Sequence, residues 1–365
     1  MKLIAYYLPQ FHPIPENDLW WGDGFTEWTN VKKAKSLYPG HYQPKIPADL
    51  GYYDLRSSET REAQAQMAKE AGVDAFCYWH YWFGNGKRLL ERPFNDVLSS
   101  GKPDFPFCLG WANEAWKAKE WGGDPSKDRT LIDQTYPGDK DIVDHFYSLL
   151  PAFNDTRYLR IEGKPVFVIY KPELLPDAKK FMDAWNNLAA KEGLTSGIFF
   201  VGHTNLSSRI SKILDLGFDA VNIVRLGDCK RNKFFLMKNL MAVLKHMFLK
   251  LPLKIDYESA IKLFSQHVDF NDNIFPSIIP NWDHTPRSGA NGLVLHGSTP
   301  ELFNKHVKSV FETIYNKPKD QQIVFIKSWN EWGEGNHMEP DTKFGKALLA
   351  VLRENVTAFN KASSE

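Results

Sequence analysis

Eight short apolar runs punctuate this chain, and a segment with helical spacing of apolar residues follows nearly every one. The runs with strand character are Leu3 to Leu8, Val73 to Trp79, Phe105 to Trp111, Val166 to Tyr170, Ile198 to Gly202, Ala220 to Val224, Ser277 to Asn281 and Ile323 to Ser328. The helical segments are Ser58 to Ala71, Leu89 to Ser99, Asp141 to Phe153, Ala178 to Lys191, Ser207 to Leu216, Phe234 to Leu249, Glu301 to Tyr315 and Phe344 to Asn360. Strand–helix alternation repeated eight times predicts an α/β chain closed into a (β/α)8 barrel. A doubly wound sheet could use the same alternation, but no glycine-rich phosphate turn follows the first run. With no linker and no internal repeat, residues 1–365 read as a single catalytic barrel domain.

The connections carry the functional signal. After the first run comes a loop of about fifty residues, 9–57, too long for a plain connector. Polar and aromatic phrases end five of the runs: Tyr78-Trp79-His80-Tyr81-Trp82-Phe83, Trp111-Ala112-Asn113-Glu114-Ala115-Trp116, Gly202-His203-Thr204-Asn205, Asn281-Trp282-Asp283-His284-Thr285-Pro286-Arg287 and Ser328-Trp329-Asn330-Glu331-Trp332-Gly333-Glu334-Gly335. In a barrel all five lie on the rim that builds active sites. The last phrase sets two carboxylates three residues apart between indoles. Glycosidic-bond chemistry uses such parts: acid/base groups, and flat apolar faces for sugar rings.

Aromatic residues make up 14% of the chain and gather in these phrases, a pattern of sugar clefts more than of a plain core. A formal net charge of +1 gives no field to recruit nucleic acid. Cys77, Cys108 and Cys229 lack metal-ligand spacing. His80, His203 and His284 end separate runs and could gather on a metal, but no helical pair or cysteine cluster supports that. No metal and no cofactor are expected. The opening Met-Lys-Leu-Ile-Ala-Tyr-Tyr is unlike a signal peptide, so the expected location is cytoplasmic.

Several phrases resemble a known family. Tyr7-Leu8-Pro9-Gln10-Phe11-His12, Trp21-Gly22-Asp23-Gly24-Phe25-Thr26-Glu27-Trp28, Tyr78 to Phe83, Trp111 to Trp116 and Trp329 to Gly335 are similar to the WbsX-like proteins, relatives of the endo-α-mannosidases and α-mannanases of glycoside hydrolase family 99. The likeness runs from about residue 3 to residue 350. It implies a (β/α)8 barrel and a retaining, endo-acting enzyme on an α-mannoside-like oligosaccharide or polysaccharide. It also implies that Glu331 is the base acting on the sugar 2-hydroxyl and Glu334 the acid/base at the leaving oxygen. WbsX-like proteins also carry the label of glycosyltransferases in O-antigen and capsular polysaccharide biosynthesis. The chain lacks a dinucleotide crevice, and Asp269-Phe270-Asn271-Asp272-Asn273 lacks a second aspartate at metal-binding spacing. Hydrolysis is therefore favoured, with a transglycosylase as the alternative.

If Glu334 is the acid, burial or the neighbouring Glu331 should raise its pKa. A rival pairing makes Glu114 the acid and Glu331 a direct nucleophile. The sugar-binding candidates are Tyr7, Trp28, Trp79, His80, Tyr81, Trp111, Asn113, Glu114, His203, Asn281, Trp282, His284, Trp329, Asn330 and Trp332, with Trp116 a further platform. Glu27 and Trp28 read either as a lid over the site or as a staple holding the first loop down. A non-catalytic carbohydrate-binding barrel is a third reading of the whole chain.

Residues 230–254 hold seven Lys or Arg and no acid, interleaved with Phe, Leu and Met. Two readings stand. The segment is the sixth barrel helix with its apolar stripe on the core, or it is a peripheral contact with the inner face of the membrane, where lipid-linked glycans are built.

Overall fold

A computed structural model describes residues 1–118, 129–231, 237 and 240–363. Eight strands form a closed, all-parallel ring: β1 (Lys2–Tyr7), β2 (Ala75–Trp82), β3 (Phe107–Trp111), β4 (Lys164–Ile169), β5 (Phe199–Thr204), β6 (Ala220–Ile223), β7 (Ile274–Ile278) and β8 (Ile323–Ile326). Each pairs with the next, and β8 returns to β1 through Lys2 opposite Ile323 and Ala5 opposite Ile326. The alternation in the sequence thus closes as a (β/α)8 barrel.

Parallel strands between helices are buried on both faces, which explains why they read as continuous apolar runs. Ile323, Val324, Phe325 and Ile326 are all 0% exposed. Each such side chain removed from water stabilises the fold by about 1.5–3 kcal/mol. The ring interior carries a polar layer: the Tyr6 hydroxyl donates to Asn222 Oδ1 at 2.9 Å, and Asn222 Nδ2 donates to Ser277 Oγ at 2.9 Å.

Helices Ser58–Glu70, Arg92–Ser100, Asp139–Phe153, Ala178–Lys191, Ile210–Asp215, Pro300–Ile314 and Ala347–Ala362 surround the ring close to their expected positions. The sixth connection differs. After β6 the chain makes a helix, Leu226–Arg231, then a second, Leu240–Leu249, then a strand, Leu253–Asp256, before helix Tyr257–Phe264 packs on the barrel. Tyr257, Ala260, Ile261 and Phe264 are the buried side chains here, packed with Val224 and Ile279. Helix Leu240–Leu249 buries no residue. For the described helix Leu240–Leu249 the core-facing reading fails, because Tyr257–Phe264 already fills that place. Residues 234–236 and 238–239 of the expected Phe234 to Leu249 helix lie outside the described residues.

Candidate active site

The carboxyl ends of the strands open into a cavity of about 1070 Å³. That is at the upper end of the range for ligand cavities, roughly 300–1,000 Å³. Glu331 and Glu334 lie in its wall, with Glu114, Trp79, Tyr81, Trp116, His203, Trp282 and His284 among the other lining residues.

Two cations bracket the glutamate pair. Arg287 Nη1 donates to Glu334 Oε1 at 2.7 Å and lies 3.3 Å from Glu331 Oε1. On the other edge, Lys327 Nζ is 3.3 Å from Glu331 Oε2 and 3.9 Å from Glu334 Oε2. Arg287 also reaches Glu27 Oε2 through Nε at 3.1 Å and Nη2 at 3.0 Å. Its planar fork thus ties the first loop to both glutamates, a geometry that a lysine could not reproduce.

Local structure explains how each group arrives there. Arg287 sits on the one-turn helix Thr285–Ser288. Asp283 Oδ1 accepts the backbone N–H of Thr285 at 3.0 Å, and its Oδ2 accepts Gln43 Nε2 at 2.7 Å and contacts His41 Nε2 at 2.8 Å. Glu27 begins helix Glu27–Lys33, set by a reciprocal cap between Thr26 and Thr29. Trp28 is 4% exposed, donates its indole N–H to the Tyr53 carbonyl at 2.7 Å and packs on Phe11 and Trp332. The first loop is therefore stapled down through Trp28, His41 and Gln43, and Glu27 enters the charge cluster.

Gly333 lets that cluster close. A Cβ there would lie 2.1 Å from Glu27 Oε2 and 3.0 Å from Arg287 Nε. Gly333→Ala is expected to push Glu27 and Arg287 off the pair and to lower turnover about a hundredfold, the scale of an ångström-sized misplacement. Steady-state kinetics beside an unchanged melting curve is the check, and near wild-type kcat would refute it.

Electrostatics reverse the expected order of protonation. Burial raises the Glu331 pKa, and the adjacent Glu334 charge raises it further. Burial acts in the same direction on Glu334, but Arg287, a hydrogen bond with His284 and Lys327 outweigh it and hold that carboxyl well below the ordinary range. The surrounding charges therefore favour a proton on Glu331 over one on Glu334.

Strand parity removes several candidates from the cavity. On β1, Tyr6 points inward and stacks on Trp79 at 4.6 Å, whereas Tyr7 faces outward and donates to Gln64 Oε1 at 2.6 Å. On β2, Trp79 and Tyr81 line the cavity, so His80 points to the helix side, where its Nε2 lies 2.9 Å from His145 Nε2. Burial lowers the His80 pKa to about 3. Trp111 also faces outward and donates to the Trp82 carbonyl at 2.9 Å. Asn113 bonds both the N–H and the carbonyl of Lys171, which makes it a loop tie. Asn281 is 3% exposed and its carbonyl accepts Asn336 Nδ2 at 2.8 Å.

The indoles beside the glutamates do not line the cavity either. Trp329 is 0% exposed and packs on Phe76. Trp332 stacks on His337 at 3.7 Å and donates to Glu339 Oε2 at 2.6 Å. Burial pushes Glu339 up to about 7. Asn330 bonds the N–H and carbonyl of Leu8 at 2.8 and 3.0 Å. These residues hold the loop that presents Glu331 and Glu334; they offer no face to a sugar.

Residues 3–352 match the protein family described as glycosyltransferase WbsX. The chain belongs to the WbsX family. Over its full length it is 36% identical to the uncharacterized protein WxcX of Xanthomonas campestris pv. campestris, in two strains. It spans about half (50%) of the length of those relatives. Among solved structures, the GH99 endo-α-mannosidase of Bacteroides thetaiotaomicron is similar with a TM-score of 0.62 and 17% identity, covering 100% of this chain and 98% of that one. A glycoside hydrolase-like protein is similar with a TM-score of 0.57 and 15% identity, covering 97% and 93%. At these identities the likeness is one of fold. The family's description names a glycosyltransferase, and the solved structures add the barrel fold alone. Among the described residues no group of three His, Cys, Asp or Glu side chains gathers as a metal site.

Arg287, Lys327 and Tyr170 also line the WbsX cavity, and none of them was singled out from sequence. Lys327 left a signal: a lysine closing an apolar strand, four residues before Glu331. Arg287 left only its place in the phrase after β7.

Proposed function

We propose that this barrel breaks a glycosidic bond with retention in an α-mannoside-like oligosaccharide or polysaccharide, acting within the chain, and that residues 1–365 form the catalytic unit. The observation that carries the reading is the buried Glu331/Glu334 pair between Arg287 and Lys327, in a cavity with room for more than one sugar. Glu331 removes the proton of the 2-hydroxyl, and the 2-oxygen attacks the anomeric carbon. The bond to the leaving oxygen breaks as Glu334 gives it a proton. Water, or an acceptor hydroxyl in the transglycosylase version, then attacks the anomeric carbon and gives its proton to Glu334, the bond from that carbon to the 2-oxygen breaks, and the 2-oxygen takes its proton back from Glu331. Trp79, Trp116 and Trp282 offer aromatic faces to the sugars.

The protonation order favours a second version on the same atoms, in which Glu331 is the acid and Glu334 the base. The substrate in either version is carried on a lipid, and the protein works at the inner face of the membrane.

A panel of α-mannoside oligosaccharides read by mass is the test. Products are expected from wild type and not from Glu331→Gln; hydrolysis adds one water, whereas transfer yields longer acceptors. Glycan binding without products from wild type would favour a non-catalytic barrel.

A further inference from the structure

Helix Leu240–Leu249 is apolar nearly all round, yet it leaves most of its large apolar side chains in water. Leu240, Met241, Leu244, Met247 and Phe248 recur at helical spacing and share one face. Met241, Met247 and Phe248 are 65%, 65% and 76% exposed. The opposite side holds Ala242, Val243, His246 and Leu249, and His246 Nδ1 meets the Leu251 carbonyl at 2.7 Å. Ala242, Val243, Leu244 and His246 are half-buried against the protein, and Leu240, Met241, Met247, Phe248 and Leu249 are left in solvent. Lys245 within the helix and Lys250 directly after it are exposed, and Lys254, exposed on the next strand, sets its Nζ 5.2 Å over the Tyr38 ring. The stretch 230–254 contains seven Lys or Arg and no acid.

The helix is joined to the glycan cavity at both ends. Leu226, Gly227 and Lys230, which precede it, line the cavity. The strand Leu253–Asp256 that follows pairs in parallel with Leu293–His296, and Leu293 lines the cavity too.

We infer that helix Leu240–Leu249 is a membrane-docking element that inserts Met241, Met247 and Phe248 into an anionic lipid leaflet and holds the cavity mouth against it. Charge selects this occupant. A second copy on the same face would bring two sets of lysines together with no acid to meet them. An anionic leaflet attracts them, and lysine stems lie along the apolar boundary with their ammonium groups in the headgroups. No helix among the described residues is long and apolar enough to cross a membrane, so contact by one face is the available mode for this helix. Delivery of a lipid-carried glycan to the cavity rests on the function proposed above; binding to lipid does not.

The test is co-sedimentation of the full chain with phosphatidylcholine vesicles, with and without phosphatidylserine. Wild type is expected to pellet with phosphatidylserine-containing vesicles and to be released by salt. Met241→Glu combined with Phe248→Glu should abolish pelleting. Replacing Lys245, Lys250 and Lys254 by Gln should weaken partition by about fivefold per lysine. All three proteins should melt alike and cleave short soluble glycans alike, since these side chains are exposed and outside the cavity. Three results would overturn the inference: wild type that ignores anionic vesicles, pelleting that survives the Glu pair, or a wild-type dimer in light scattering that the Glu pair splits. Loss of all glycan turnover in wild type counts against the proposed function and leaves the lipid result standing.

Discussion

Glu334→Gln is expected to lose about 10²–10⁴-fold in kcat/KM on natural oligosaccharides, whose leaving alcohols need a proton, and to keep most of its rate on aryl glycosides with very acidic leaving groups. Glu331→Gln should be crippled on both, because the attacking 2-oxygen needs its base whatever departs. The environment makes this more than a formality. Arg287 sits 2.7 Å from Glu334 and 3.3 Å from Glu331, and the nearer contact holds Glu334 ionised. If the resting order persists through turnover, the rescue moves to Glu331→Gln and the roles exchange. If Glu114→Gln alone shows the leaving-group split, and a covalent sugar can be trapped on Glu331, the direct-nucleophile pairing replaces both. Measuring the three variants on one natural and one activated substrate separates these mechanisms.

The second large effect concerns stability. Arg225 and Asp269 are both 0% exposed, with Nη2 to Oδ1 at 2.5 Å and Nη1 to Oδ2 at 2.7 Å. Nη1 also donates to the Phe264 carbonyl at 2.8 Å and Nε to Ser207 Oγ at 3.0 Å. Arg225→Ala strands a carboxylate in the interior and is expected to cost about 3–5 kcal/mol. The double variant Arg225→Met with Asp269→Leu removes both charges and should recover much of that loss. Denaturant midpoints at constant slope test the pair, and a single variant within about 1 kcal/mol of wild type would refute the assignment. Arg225 precedes Leu226 directly, so it also fixes where the chain leaves β6 for the exposed helix.

The fold was legible because apolar runs of strand length alternate with helical stripes through every unit of the ring but the sixth. The helix Tyr257–Phe264 was missed because it has only eight residues and the more apolar 240–249 stretch outcompeted it. A helical stripe shows that one face is apolar. It does not show whether protein, solvent or lipid covers that face.

Parity has the same ambiguity within a strand. Tyr6 and Tyr7, or Trp79 and His80, must point opposite ways, but the inward member is decided by neighbours across the ring. Tyr6 is drawn in by Asn222 and Trp79, and His80 is drawn out by His145. The glutamates were legible from composition around them. Their cations were not, since Arg287 lies 44 residues from Glu331 in sequence and meets it only through folding. The indoles misled for a chemical reason. Tryptophan serves equally as a stacking face or as a hydrogen-bond donor in a packed loop, and Trp332 is spent on Glu339.

The Asn330–Leu8 tie has a consequence for the order of assembly. It spans 322 residues, and Trp329 N–H also bonds the Tyr6 carbonyl at 2.7 Å. Ring closure and placement of the loop that bears Glu331 and Glu334 are therefore one long-range event, between the first strand of the ring and the last. Such high contact order makes closure late and slow. Until β8 arrives, one edge of β1 stays unpaired, and the loop that bears Glu331 and Glu334 lacks its tie to Leu8.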